Sequence, residues 1–449
     1  MSSRTIYNPV KDYTIPNTDL LSLVFDDTVL HVEGADPSNN VTKSQCREYT
    51  MQIAHILRER FAIGALGPRI DTAACISTGQ ILLPALFYGV ISAGGVYSAA
   101  IRASQPESCG TTGEPKSVQI THENLVSAAF VNLYAFCDYI SRQKAQSPGF
   151  TPEYRTVAHL PAAHIAGCQG YFLQPVLCGG TIYWMPKFEL KSFLLYSATY
   201  RPTFLFTFDY MIYAVSGAAP MGPDLVIRAS KALGCPISQT WGLSETTGSV
   251  TISPWDEFES DGSLSPLLPN IRMRIVDEAE NDVEDGQEGE FIVQGPMITR
   301  GYWKNEEATR SSFTVDGEWF KTGDLGLRRN GKIFIIDRKK DMIKYKSLQV
   351  ALAELEGLLL SHSLIKDIAV IGFPDVQMAG NDLPRAYVVA DQSKITEDAI
   401  KSFVRDNLTS HKQLRGGVIF VPEIPKSPTG KILRKELRQA AAMEIKAKL

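Results

Sequence analysis

Five short runs along this chain place glycines, hydroxyls, carboxylates and lysines in an order that strongly restricts the fold. In the last third they are Thr322-Gly323-Asp324, then Asp337-Arg338-Lys339-Lys340-Asp341-Met342-Ile343-Lys344, then Pro428-Thr429-Gly430-Lys431. Upstream lie Ser108-Cys109-Gly110-Thr111-Thr112-Gly113-Glu114-Pro115-Lys116 and Gln239-Thr240-Trp241-Gly242-Leu243-Ser244-Glu245. Alone, each reads as a polar turn or a solvated basic loop. Together they supply a loop for phosphates, a carboxylate for a divalent cation, an acid and a base for a ribose, and a lysine close to the end of the sequence. They can act together only if a multi-domain fold brings them to one place.

At 449 residues the chain is long enough for two or three domains, and 44% hydrophobic with 21% charged residues is a globular composition. The net charge of −4, from 45 basic and 49 acidic residues, gives no drive toward nucleic acid or an anionic membrane. The seven cysteines (46, 75, 109, 137, 168, 178 and 235) contain no CxxC pair, so they read as reduced thiols of an intracellular protein. His159 and His164 have no ligand partner nearby in sequence, so no zinc site is expected. Residues 1–18 lack the apolar core of a secretory signal. Residues 72–101 carry no charge and are long enough to span a bilayer, but Gln80, Pro84, Gly89, Gly94 and Gly95 interrupt them. The stretch predicts a buried helix followed by a buried strand, with no stable membrane span.

Alternating short apolar strands and helices predict α/β layering through most of the chain. A helix is expected over 43–61, with Met51, Ile53, Ala54, Ile56, Leu57 and Phe61 on its apolar side, and another within 118–139, capped near Thr121. Strands are expected at 204–208 and 211–215, and a β-rich subdomain at 291–293 and 332–336 with a hairpin turn at Asn330-Gly331. The end reads as a separate α+β unit: helices at 350–360 and 396–408, strands at 368–371, 387–389 and 418–421. The expected division is residues 1–339 and 340–449, with the basic run at Lys340 as the hinge of a mobile C-terminal domain.

The chemistry of the runs follows from their residue types. Glycines in 108–116 let backbone N–H groups approach phosphate, and Ser108, Thr111, Thr112 and Lys116 add donors and charge. The loop lacks the Gly-Lys-Ser/Thr ending of a Walker A motif. Glu245 is a hard oxygen donor suited to Mg²⁺. Trp241 offers an aromatic face, and Asp324 a carboxylate of the kind that accepts ribose hydroxyls.

In this order the runs resemble the adenylate-forming superfamily of acyl-CoA synthetases, adenylation domains and luciferases, most closely its coumarate:CoA ligase-like branch, over nearly the whole chain. The resemblance implies a large N-terminal AMP-binding domain of layered α/β subdomains plus a small β-rich one, and a mobile α+β C-terminal domain. It implies an ATP-dependent carboxylate–CoA ligase acting on an aryl, fatty or secondary-metabolite acid, with ATP, Mg²⁺ and coenzyme A. By resemblance Ser108, Gly110, Thr111, Thr112, Gly113 and Lys116 hold the β- and γ-phosphates. Gly217, Ala218 and Ala219 wall the adenine, which Trp241 covers beside Gly242, and Ser244 donates to the α-phosphate. Asp324 and Arg338 hold the ribose, Glu245 the Mg²⁺, and Lys344 and Gln349 contact the acyl-adenylate. Lys431 bridges the substrate carboxylate and α-phosphate, His164 gates the acyl and pantetheine sites, Lys340 is the hinge, and Ser347 faces CoA where the family has glycine. The C-terminal Ala447-Lys448-Leu449 is close to the Ser-Lys-Leu address, implying a peroxisomal import receptor as partner and a peroxisomal, otherwise cytoplasmic, location.

Two blocks are shorter than in the family. Only residues 99–107 stand where strand–helix units are expected, although a βαβ unit needs ~30 residues, and a helix is missing near 207–211. Such losses predict exposed edges and apolar faces. Two other readings therefore stay open: a non-catalytic remnant or mis-spliced product of such a ligase, and a stand-alone adenylation enzyme loading a carrier protein.

Overall fold

The computed structural model describes residues 5–9, 11–17, 20, 29–100, 116–149, 153–205, 213–217, 223–233, 235–253, 257, 259, 261–346, 348–375, 377–378, 380–426 and 431–448. Thr42 and Gln45 form a capping box at the start of the helix Lys43–Phe61, and Thr121 and Asn124 do the same for His122–Gln146. Around these helices lie three mainly parallel β-units. One is a four-stranded sheet in the order Asn40–Thr42, Val29–Glu33, Thr181–Trp184, Arg155–Ala158. The second is a parallel pair, Thr72–Ile76 with Val96–Ala100, joined by the helix Leu83–Ser92. The third is the parallel set Phe204–Leu205, Tyr213–Ser216 and Ile237–Gln239.

Residues 72–100 therefore form strand, helix and strand, not helix and strand as the composition of 72–101 suggests. The first strand is short and not buried. Its residues alternate between exposed and half-exposed, and Ile76 is 67% exposed. Parallel strands are normally covered on both faces. The helix Lys43–Phe61 departs from expectation in the same direction: it buries Cys46, Thr50 and Ala54, while Met51, Ile56 and Phe61 face solvent. Both departures fit a scaffold that lacks packing partners here. The shortened segments themselves, residues 101–107 and 207–211, lie outside the described residues. Among the described residues no helix is long and apolar enough to cross a membrane.

A four-stranded antiparallel sheet follows, in the order Arg272–Val276, Gly289–Gln294, Phe320–Arg329, Lys332–Arg338. Its last hairpin turns at Asn330-Gly331, both with positive φ (52° and 79°), and Arg329 pairs with Lys332. That is the two-residue turn whose twist suits a hairpin. Phe291, Val293, Ile275 and Met273 from this sheet share a core with Trp241 and with Ala128, Val131 and Phe136 of the helix His122–Gln146.

Beyond Arg338 a hairpin, Ile343–Tyr345 with Leu348–Val350, leads into the helix Leu352–Leu360. A three-stranded sheet of Ile365–Pro374, Asp382–Ala390 and Val418–Phe420 carries the helices Glu397–Asn407 and Arg434–Lys448. Thr396 caps the first of these through Ala399 N–H, so the amphipathic pattern and its cap coincide. Ile343, Leu352, Leu355, Leu359, Val370, Ile400 and Val418 form the core of this unit.

Candidate active site

The site is built on the hairpin of the antiparallel sheet. Asp324 and Arg338 face each other across the ladder, one on each strand. Asp324 is 2% exposed. Its Oδ2 accepts a 2.7 Å hydrogen bond from Trp241 Nε1, and its Oδ1 lies 3.1 Å from Arg338 Nε in an ion pair. The pair is not aligned as a hydrogen bond, so Oδ1 is a buried acceptor with hydrogen-bonding capacity left over. Burial raises the Asp324 pKa, and Arg338, Trp241, Lys340 and Lys431 pull it back. The Trp241 ring, 6% exposed, packs edge-on against Phe291 at 5.2 Å. Trp241 thus orients Asp324 from within the core.

Glu245 sits in the turn between the short strands Gly242–Leu243 and Gly248–Ser249. The strands approach so closely that a Cβ on Gly242 would lie 2.1 Å from Gly248 O, so only glycine fits. Ser244 accepts from Thr247 N–H in the same turn. Tyr302 donates to Glu245 Oε1 at 2.8 Å, and Thr299 N–H donates to the Glu245 carbonyl. Lys116 Nζ stands 5.1 Å above the Tyr302 ring. Residues 117–119 and 301–303 are tied by backbone bonds, including Gln119 N–H to Gly301 O. Tyr302 is thus the hub that brings Lys116 to Glu245. Sequence reading missed it; its signal is an aromatic after the glycine of Thr299-Arg300-Gly301-Tyr302.

Gly217 follows the strand Tyr213–Ser216, whose end is bonded to Thr240 N–H, next to Trp241. Ser108, Gly110, Thr111, Thr112, Gly113, Ala218, Ala219 and Ser347 lie outside the described residues. Among the described residues no group of three His, Cys, Asp or Glu side chains forms a metal cage. Glu245 nonetheless suits Mg²⁺, which commonly takes one or two protein carboxylates and completes its shell with substrate phosphates and water.

Lys431, from the far end of the C-terminal unit, is electrostatically coupled to this arrangement. Lys431 is pushed down to about 8, first by burial and then by the charges of Arg338 and Lys340, against the pull of Asp341 and Asp324. Burial, helped by the charge of Lys431, lowers the His164 pKa and so disfavours a charged imidazole. His164 caps the short helix Ile165–Gly167, its Nδ1 accepting from Ala166 N–H at 3.2 Å. Partial desolvation and Arg338 lower the Lys340 pKa, opposed by Asp341, Asp324 and Glu245. Lys431, Asp324, Arg338, Lys340 and His164 therefore share one electrostatic environment. Lys344 and Gln349 do not join it. They pair across the hairpin on its exposed face, and the Lys344 charge acts on Asp382 of the C-terminal sheet.

Comparisons with known proteins bear on the family and the fold. The family model "AMP-binding enzyme" matches residues 106–213 and 208–303, and "AMP-binding enzyme C-terminal domain" matches 354–431. The first match divides at 208–213, where the sequence reads as shortened. A protein of Emericella nidulans described as an acyl-coenzyme A synthetase is 42% identical, over 97% of this chain and 98% of that protein. That alignment runs over 547 positions, more than the 449 residues of this chain, so the relative carries internal residues that this chain lacks. 4-coumarate–CoA ligase-like 4 of Oryza sativa is 34% identical over 75% of this chain, which spans 63% of the rice protein. The crystal structure of ATP-bound MatB from Rhodopseudomonas palustris shares the fold, with a TM-score of 0.80 at 22% identity over 94% of this chain and 97% of that one. With its fold and both of its family segments in agreement, the chain belongs to the AMP-binding, adenylate-forming enzymes, among relatives that are acyl-CoA synthetases and coumarate–CoA ligase-like proteins.

Proposed function

We infer that the protein is an ATP-dependent carboxylate–CoA ligase that forms AMP. The observation that carries this is the electrostatic environment that Lys431, from the far end of the chain, shares with Asp324, Arg338 and His164, together with the paired Asp324 and Arg338 on the ladder. In the first half-reaction a substrate carboxylate oxygen attacks the α-phosphorus of ATP, and the bond to pyrophosphate breaks. Asp324 accepts the ribose hydroxyls through the capacity left on Oδ1, and Arg338 adds a second contact. Lys431 meets the charge that builds between carboxylate and α-phosphate; one such donor is worth about 3–4 kcal/mol in the transition state. Lys116 and, by resemblance, the residues of the 108–113 run would bind the outer phosphates. Glu245, held through Oε1 by Tyr302, would hold Mg²⁺, which would neutralise phosphate charge there.

In the second half-reaction the thiol of CoA attacks the acyl carbon and AMP leaves. The charge of Lys344 acts on Asp382 of the C-terminal sheet while that of Lys431 acts on Asp324, which supports a rotation of residues 340–449 about Lys340 between the two halves. That rotation would bring the hairpin and Ser347 to the acyl-adenylate and pantetheine. A CoA acceptor is favoured over a carrier protein by the Lys344 and Gln349 match. The acid is an aryl, fatty or secondary-metabolite carboxylate, and Ala447-Lys448-Leu449 would direct the enzyme to peroxisomes, which a fluorescent fusion with and without those residues tests.

The deciding experiment is carboxylate-dependent ATP–pyrophosphate exchange with Mg²⁺ over a panel of such acids. Exchange is expected with at least one of them. A folded protein that neither binds ATP nor exchanges would support the second reading, a non-catalytic remnant, which the uncovered strand Thr72–Ile76 favours.

A further inference from the structure

We infer that Asp337 is a positioning residue for the adenylation half-reaction, clamping the first turn of the helix Leu352–Leu360 to the strand that carries Arg338. Its Oδ1 accepts from Arg338 N–H at 2.7 Å, and its Oδ2 accepts from Ala353 N–H at 3.0 Å. The helix begins at Ala351, whose methyl side chain caps nothing. Its first-turn N–H groups lack partners within the helix, and a carboxylate is the side chain best suited to that end of the helix dipole. The cap comes from outside the C-terminal unit, from the last residues of the antiparallel sheet. Burial raises the Asp337 pKa, while the bonds from Ala353 and Arg338 and the charge of Arg434 oppose this.

The clamp has a short mechanical path to Lys431. Leu352, Leu355 and Leu359 fix the helix in the C-terminal core. Glu356, on the same helix, takes both hydrogen bonds from Arg434 Nη2, at 2.6 and 2.7 Å. Arg434 begins the last helix, three residues beyond Lys431. Asp341 receives Arg438 of that helix at 3.0 Å. Holding Ala353 to Asp337 therefore holds the base of the loop that presents Lys431 to Asp324. The bond also spans Lys340, so a rotation there must break it. Asp337 thus favours the lysine-in arrangement and is released in the other. Its part in the half-reactions rests on the ligase reading; the clamp itself does not.

The test uses the full chain in three forms: wild type, Asp337→Ala, and Asp337→Ala with Ala351→Ser, which gives the helix a cap of its own. The double variant is expected to recover the wild-type melting midpoint. Without ligand, both variants should be cut by trypsin within 338–340 about fivefold faster than wild type, the factor that loss of one cap implies. With 4-coumarate and phenylacetate as probe acids, acyl-AMP formation should slow about fivefold in both variants. Thioester formation from supplied acyl-adenylate should not slow. Asp337→Asn, which keeps one acceptor, should lie between. A double variant that melts, is cut and adenylates like wild type would show that Asp337 is only a helix cap and overturn the inference. Equal slowing of both halves would also overturn it. If wild type adenylates neither acid, it is the ligase reading that is in difficulty, and trypsin cleavage alone decides the role of Asp337.

Discussion

The indole N–H of Trp241 and the carboxylate of Asp324 meet at 2.7 Å inside the core, 83 residues apart in sequence. The bond orients an acid that the antiparallel ladder already places opposite Arg338. It leaves Oδ1 as the oxygen with hydrogen-bonding capacity to spare.

Trp241→Phe removes that donor and keeps most of the ring. With a buried charge short of a donor, unfolding free energy should fall by about 1–3 kcal/mol, read by denaturant titration at neutral pH. The bond favours the ionised carboxylate, so its contribution is present when Asp324 is charged and is lost as the pH falls through its folded-state pKa. The deficit should shrink in acid. A deficit that persists undiminished would point to ring packing alone.

Lys431→Ala should lower acyl-AMP formation about a hundredfold or more in single-turnover assays, while CoA transfer from supplied acyl-adenylate changes much less. Equal loss in both halves would contradict a lysine that serves only adenylation.

Lys431 also sets a pH dependence. Its pKa of about 8 in the ligand-free protein means that the ammonium loses its proton as the pH rises through that value. A bound triphosphate favours the charged form, so ATP binding above pH 8 should take up a proton and weaken as pH rises. Calorimetry in two buffers of different ionisation enthalpy measures the uptake, and Lys431→Arg should abolish it.

Tyr302→Phe removes the hydrogen bond to Glu245 Oε1. A metal-ligating carboxylate freed from its support typically loses 10-fold or more in metal affinity, so the Mg²⁺ concentration for half-maximal ATP binding should rise about tenfold. Circular dichroism should stay unchanged. An unaltered Mg²⁺ titration would separate Tyr302 from the metal site.

Gly242→Ala places a methyl where Gly248 O stands 2.1 Å away. The hairpin that carries Ser244 and Glu245 must open, at a cost of about 1–3 kcal/mol, seen as a lower thermal midpoint together with weaker ATP binding. A fall in midpoint with ATP affinity intact would place the hairpin outside the site.

Much was readable without coordinates because it depends on local chemistry. Thr42, Thr121 and Thr396 announce helix starts, and Asn330-Gly331 announces a hairpin, since caps and turns depend on a few neighbouring residues. The strand Thr72–Ile76 was not readable as such: an uncharged run of this kind suits strand or helix, and burial, which would arbitrate, depends on distant partners.

The order and spacing of the runs around Lys116, Glu245, Asp324, Arg338 and Lys431 determined by themselves the family, the two-unit α/β architecture and the chemistry on offer. Only the tertiary structure decided how those residues are held. It made Trp241 the donor that orients Asp324. It also put Tyr302 on Glu245 and Asp337 on the helix Leu352–Leu360, and coupled the charge of Lys431 to Asp324 and that of Lys344 to Asp382. The reason is physical. A motif records which groups are present, but orientation, desolvation and charge coupling arise between residues far apart in sequence, and only packing sets those distances.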